Sequence, residues 1–203
     1  MRKARQLRKA LKLWEKKVQE LEKQVQNQQS PLSDDYQANC ALLDAVFEGC
    51  ADISKRDFHI AQDPPRPARL YMLKGTLDKT IINDSIIAPL TAAVKARGAG
   101  VPDLISAHML TEVATLGEAV QEVLNGQVLL IIHRQARAWS VNAKAARLRA
   151  VAEPETQKVV RGPREGLIED LETNLTLVRK RLKTPTLKID CRSVGRRSNT
   201  QLA

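Results

Sequence analysis

The sequence predicts an α/β fold, a small mixed β-sheet covered by helices, with a basic N-terminal helix in front of it. Three observations predict it. Short apolar runs bounded by Gly, Pro and Asn alternate with longer segments of helical periodicity. Hydrophobic residues make up 43% of the 203 positions but aromatic residues only 3%, so the core is built of Leu, Ile, Val and Ala. Finally, Leu7, Leu11, Trp14, Val18, Leu21 and Val25 form a short heptad seam in a segment of nine basic and three acidic residues (1–25), a local balance of +6.

The elements follow in order. Residues 1–29 read as a basic helical arm and 30–34 as a linker, because "QNQQSPLSDD" is polar and contains a Pro stop. A helix begins near Ser33 or Asp34, shows Leu42, Leu43, Val46 and Phe47 on one face, and ends at Gly49. "RDFHIAQ" reads as a strand, "DPPRP" as a rigid connection and "ARLYML" (68–73) as a buried strand turned out by "KGTLD". A helix from Asp78 to about Arg97 carries Ile82, Ile86, Ile87, Leu90 and Val94, kinked at Pro89. Residues 103–124 are expected as a further helix, in one piece or two. Asn125-Gly126 turns into "QVLLIIH", a central strand, and "RQARAWSVN" returns as the second strand of a hairpin. "AEPETQKVV" is extended and polar.

A helix is expected over 163–182. Gly162 fits its N-cap, Pro163 its first position and Glu165 its first turn. Leu167, Leu171, Leu175, Val178 and Leu182 supply an apolar face. Arg161 and Arg164 beside the helix start suit salt bridges or docking contacts; the sharper alternative is an anion site, although no Gly-rich phosphate motif accompanies it. "PTLKIDCRSVG" closes the chain as a strand.

Charge and composition limit the function classes. The net charge of +10 favours anionic partners without choosing between nucleic acid and a lipid surface. Cys40, Cys50 and Cys191 are odd in number and lack metal spacing, so they read as reduced thiols. The start is too charged for a signal peptide. "VLLII" is far shorter than the ~20 residues that span a bilayer. His59, His108 and His133 are scattered; Asp78 beside Asn83 and Asp84 fits a helix cap; Cys50 near Asp52 has no His partner. No triad, metal set or carboxylate pair assembles, so neither enzymatic activity nor a cofactor is expected.

The run "EPETQKVVRGPREGLIEDLETNLTLVRKRLKTPTLKI", followed by "VGRRSNT", resembles the N-terminal region of the GerA family of spore germination proteins, the A subunits of nutrient germinant receptors. "YMLKGTLDKTIINDSIIAPL" and "VLNGQVLLIIHRQARAWSV" are similar to two earlier segments of that family, so the resemblance covers about 35–200. The motif falls on Glu153, Pro154, Glu155, Arg161, Gly162, Pro163, Arg164, Glu165, Gly166, Asn174, Arg179 and Arg181. As the resemblance has it, these positions make subdomain or intersubunit contacts. It implies a cytoplasmic region of two α/β subdomains ahead of membrane helices. It also implies assembly with B and C subunits and with further copies at the spore inner membrane, and an ion channel that opens when nutrient binds. Residues 35–190 then form the first subdomain, and 191–203 the cut crossover to a second that this chain lacks, as in a fragment or a frameshifted gene. Leu167 stands where the family has Phe. The alternative is a basic adaptor that binds anionic membrane through its arm or, less favoured, nucleic acid.

Overall fold

The computed structural model describes residues 30–60, 64–92, 101–105, 110–143 and 167–203. The basic arm expected over 1–29 lies outside them, as does the polar segment before residue 167.

The chain forms three layers. Helix α1 (Tyr36–Val46) starts behind Asp35, whose carboxylate accepts from the backbone N–H groups of Gln37 and Ala38 at 2.9 and 3.1 Å. Strands β1 (Ile53–Ile60) and β2 (Arg66–Leu73) follow as an antiparallel pair. Asp78 then caps an irregular helix α2 over 79–92. Its α-helical turns at Lys79–Ile81 and Ala88–Ala92 flank a π-helical stretch at Ile82–Ile87. In that stretch the Ala88 N–H reaches back to the carbonyl of Asn83. Pro89, which has no N–H to give, sits directly after the widened turn, so the expected kink is realised as a change of helix type.

A short helix α3 (Val101–Leu104), strand β3 (Leu110–Val113), helix α4 (Leu116–Leu124) and strands β4 (Val128–Ile132) and β5 (Ala138–Val141) complete the sheet. The helix expected over 103–124, in one piece or two, is in fact two helical pieces with the unexpected strand β3 between them. Thr115 and Glu118 form a capping box that starts α4 afresh, with the Thr115 Oγ1 accepting from the Glu118 N–H at 3.2 Å. The residues just before it pair with β5 instead.

Strand order is β1-β2-β4-β5-β3, and every ladder is antiparallel. The one parallel contact among the described residues is the isolated bridge between Cys50 and Ile189, outside the sheet. β4 is central and buried along its whole length. Leu129 and Ile131 face α1 and α4 with Leu43, Val46, Val120 and Val123. Val128, Leu130 and Ile132 face α2 with Ile82, Ile86 and Leu90. A strand with two covered faces has no polar alternation, which is why "VLLII" is uninterrupted. β5 is shorter than expected. Arg134 takes a left-handed φ of 60° in the turn, and Ala136 stays exposed ahead of the strand.

The C-terminus departs from expectation too. Instead of one strand, the chain bridges at Ile189 and then forms a separate exposed hairpin, β6 (Arg192–Val194) and β7 (Thr200–Leu202). Gly195 (φ 92°) and Asn199 (φ 46°) supply its turn.

Leu130 is fully buried between the two strands that flank β4. Leu130→Ala is expected to cost about 2–5 kcal/mol in urea unfolding, with the slope unchanged.

Candidate functional site at the α5 latch

Helix α5 (Leu171–Arg181) is where the sequence motif meets the folded core. The expected start at Gly162–Pro163 lies outside the described residues, and α5 itself begins at Leu171. Residues 167–170 are not helical, and the Asp170 carboxylate caps the helix by accepting from the Thr173 N–H at 2.9 Å and from its hydroxyl. Asn174 folds back onto the lead-in: its Oδ1 accepts from the Ile168 N–H at 2.8 Å and its Nδ2 donates to the Ile168 carbonyl at 2.5 Å. Glu153, Pro154, Glu155, Arg161, Gly162, Pro163, Arg164, Glu165 and Gly166 all lie outside the described residues.

The helix is also rotated from the apolar-face expectation, of which Leu171 and Leu175 remain half-buried. Its buried residues are Thr176, Leu177 and Arg179. The expected core positions Leu167, Val178 and Leu182 are 73%, 37% and 53% exposed. Arg179 decides this. Its side chain has no exposed surface, and Asp52 opposite is 4% exposed. Arg179 Nε donates to Asp52 Oδ2 at 2.6 Å and Nη2 to Oδ1 at 2.9 Å, a bidentate fork. Nη1 donates to the Thr184 carbonyl at 2.7 Å and Nη2 also to that of Leu187 at 2.9 Å. One guanidinium thus joins the turn before β1, the helix, and the chain that leaves it.

Neighbouring contacts extend this latch. Thr176 Oγ1 donates to the Lys74 carbonyl at 3.2 Å. Gly75 lies beneath it at φ 77°, where an added Cβ would fall 2.4 Å from Thr176 Oγ1; glycine is required there by both conformation and space. Lys183 Nζ donates to Asn125 Oδ1 at 3.0 Å, and Lys188 Nζ to the Val46 carbonyl at 3.0 Å. Backbone bonds Ile189 N–H to Gly49 (2.9 Å) and Ala51 N–H to Ile189 (3.0 Å) finish the seam.

Cys50 is enclosed by this seam. Burial pushes its thiol up against the opposing pull of Lys188 and Arg179. Cys40 is likewise raised by burial, and Cys191 is exposed. Each of the three is a free cysteine. His59 lies in β1, His133 stands edge-on to Tyr36 with ring centroids 6.2 Å apart, and His108 is outside the described residues. Asp78 caps α2 and Asp84 is exposed in the π-helical stretch. Among the described residues no group of three or more His, Cys, Asp or Glu is placed to hold a metal, and no helix is long and apolar enough to cross a membrane. Arg181, adjacent to the latch, has polar contacts of its own.

Sequence reasoning found Arg179 as a motif residue but missed its partner. Asp52 precedes it by 127 positions and carries no local signal beyond its place before a strand.

With this geometry in hand, comparison with known proteins is direct. Residues 41–203 match the family model described as Bacillus/Clostridium GerA spore germination protein. The chain belongs to that family. It is 25% identical over 192 residues to the uncharacterized membrane protein YfkQ of Bacillus subtilis, covering 93% of this chain and 37% of that protein. It is 26% identical over 173 residues to spore germination protein XA of Bacillus anthracis, covering 82% of this chain and 35% of that one. The chain therefore spans little more than a third of these curated relatives. The crystal structure of the N-terminal domain of the A subunit of the Bacillus megaterium spore germinant receptor GerK3 has the same fold. The TM-score is 0.62 at 22% identity, over 85% of this chain and 64% of that one.

Arg179→Ala leaves the Asp52 carboxylate buried without its cation and should cost about 3–5 kcal/mol in chemical denaturation. Pairing Arg179→Met with Asp52→Leu should recover part of that loss; the Thr184 and Leu187 carbonyls remain unpaired. In a thiol-labelling time course of the native protein, Cys191 should react at once. Cys40 and Cys50, buried and held as thiols, should react only as the protein unfolds.

Proposed function

We propose that this chain is the N-terminal domain of an A-type germinant-receptor subunit and works as an assembly and signalling module in nutrient-triggered spore germination. Family membership over 41–203 supports the germination role. The observation that carries the assembly role is the orientation of α5. With Arg179, Thr176 and Leu177 facing inward, Val178 in the helix and Leu182 at its C-cap stay exposed, as do Leu167 and Ile168 in the non-helical lead-in, an interrupted apolar stripe along this segment. Clustered exposed apolar residues mark contact surfaces. In this reading the stripe, with Arg181 on the same helix, meets B-type or C-type subunits or a further A-type copy at the cytoplasmic face of the spore inner membrane. The part played is non-catalytic and needs no cofactor. It biases the ion-conducting state of the receptor rather than transforming the nutrient.

The experiment is affinity capture from the spore inner membrane with the gene tagged at its own locus. Receptor subunits should co-purify with the wild-type protein. Leu182→Asp and Leu167→Asp, both at solvent-exposed positions, should lower that capture about tenfold, the effect of roughly 1.4 kcal/mol of lost contact, while leaving the thermal melt of the purified chain unchanged. Capture of no receptor subunit, or normal capture and germination in both variants, would overturn the proposal.

A further inference from the structure

A cleft of about 390 Å³ opens where the β1–β2 ladder, α2 and α5 meet, bordering the latch at Lys74 and Gly75. Its lining has a definite chemical character. Arg56, Lys74 and Lys79 contribute three positive charges and Glu172 one negative, a balance of +2. The apolar part of its wall includes the half-buried Met72 and Leu77 and the buried Ile82. Most of the lining comes from the single run 72–83, within the "YMLKGTLDKTIIN" segment (71–83), of which the latch uses only the Lys74 carbonyl and Gly75.

Two further features suit the cleft for a ligand. The π-helical stretch of α2 begins here, and π-helical turns gather at functional sites because they re-aim side chains. Its Asn83 side chain lines the cleft and accepts from Arg56 Nη1 at 2.9 Å, which holds the guanidinium at the rim. Glu172, from α5, also lines the cleft, and its charge disfavours an anionic head beside it.

We propose that this cleft binds a small organic anion with an apolar body, a carboxylate of a few carbons, its head between Arg56 and Lys79 and its tail on Met72, Leu77 and Ile82. The volume is that of a small-molecule site, and a guanidinium fork matches a carboxylate. A cation is disfavoured by the +2 lining. An anion without an apolar part leaves Met72 and Leu77 wet. This inference stands apart from the receptor reading, because it concerns only binding by the chain itself.

The test is titration of the purified 203-residue chain with hexanoate, acetate and hexylammonium, followed by calorimetry and by the Arg56 and Asn83 side-chain NMR signals. Hexanoate should saturate one site and move both signals. Acetate should bind at least about tenfold more weakly, since it buries fewer methylenes. Hexylammonium should not bind. Arg56→Gln and Lys79→Gln, both at exposed positions, should each weaken hexanoate about tenfold with an unchanged melt. Two variants are used so that a folding defect in one leaves the other decisive. Absence of saturable hexanoate binding, full affinity in both variants, or equal binding of acetate or hexylammonium would overturn the proposal.

Discussion

A guanidinium group removed entirely from water is the constraint around which the C-terminal half of the described structure is arranged. Desolvating a charge of that kind costs several kcal/mol unless its donors are satisfied. Arg179 meets the condition through both carboxylate oxygens of Asp52 and the carbonyls of Thr184 and Leu187. Once that side chain is committed inward, the rotation of α5 is fixed. Thr176 must then fall over Gly75, and Val178 must face away. The chain beyond the helix is held as well, because two of the four acceptors belong to it. A carboxylate at the entrance to β1 thereby sets the position of residues more than a hundred places later.

The sheet supplies the rigid half of that arrangement. β4 lies at its centre with both faces covered, by α1 and α4 on one side and α2 on the other. β2, beside it, also contributes to both layers, through Tyr71 and Leu73 on one face and Ala68 and Leu70 on the other. The Tyr71 hydroxyl, buried with its ring, donates to the Cys40 carbonyl at 3.2 Å and to Asp44 Oδ1 at 2.9 Å, tying α1 to the sheet. Asp52 and Gly75 sit in the turns that bracket β1 and β2, so the latch inherits its precision from the best-packed strands.

The parts legible from the chain were those with local physical signals. "ARLYML" and "VLLII" read as buried strands because they are apolar runs bounded by turn residues, and Asp78 read as a cap because nothing else suits an acid there. The strand β3 was missed because Leu110 and Val113 also satisfy a helical spacing with Leu116 and Val120. The Thr115-Leu-Gly-Glu118 capping box was the available signal that a new helix begins at that point. The rotation of α5 was legible only in part: Leu171 and Leu175 are half-buried as the periodicity has them, whereas Val178 and Leu182 are exposed. Hydrophobic periodicity assigns the leucines inward, and that rule fails when a buried cation outbids them. Asp52, the residue that reverses the rule, is distant in sequence and unremarkable in type.

The separation of 127 positions between Asp52 and Arg179 has a consequence for how the molecule is held together. So distant a segment is held by the fork to Asp52, the Thr184 and Leu187 carbonyls, the backbone bonds at Ile189, and the buried Leu177 and Ile189 side chains. Residues 167–190 therefore depend on the sheet for their place, while β1, β2 and β4 pack against one another and against the helices on both faces. The fold has two tiers: a sandwich packed on both faces of its sheet, and a C-terminal segment whose place is set chiefly by one buried ion pair.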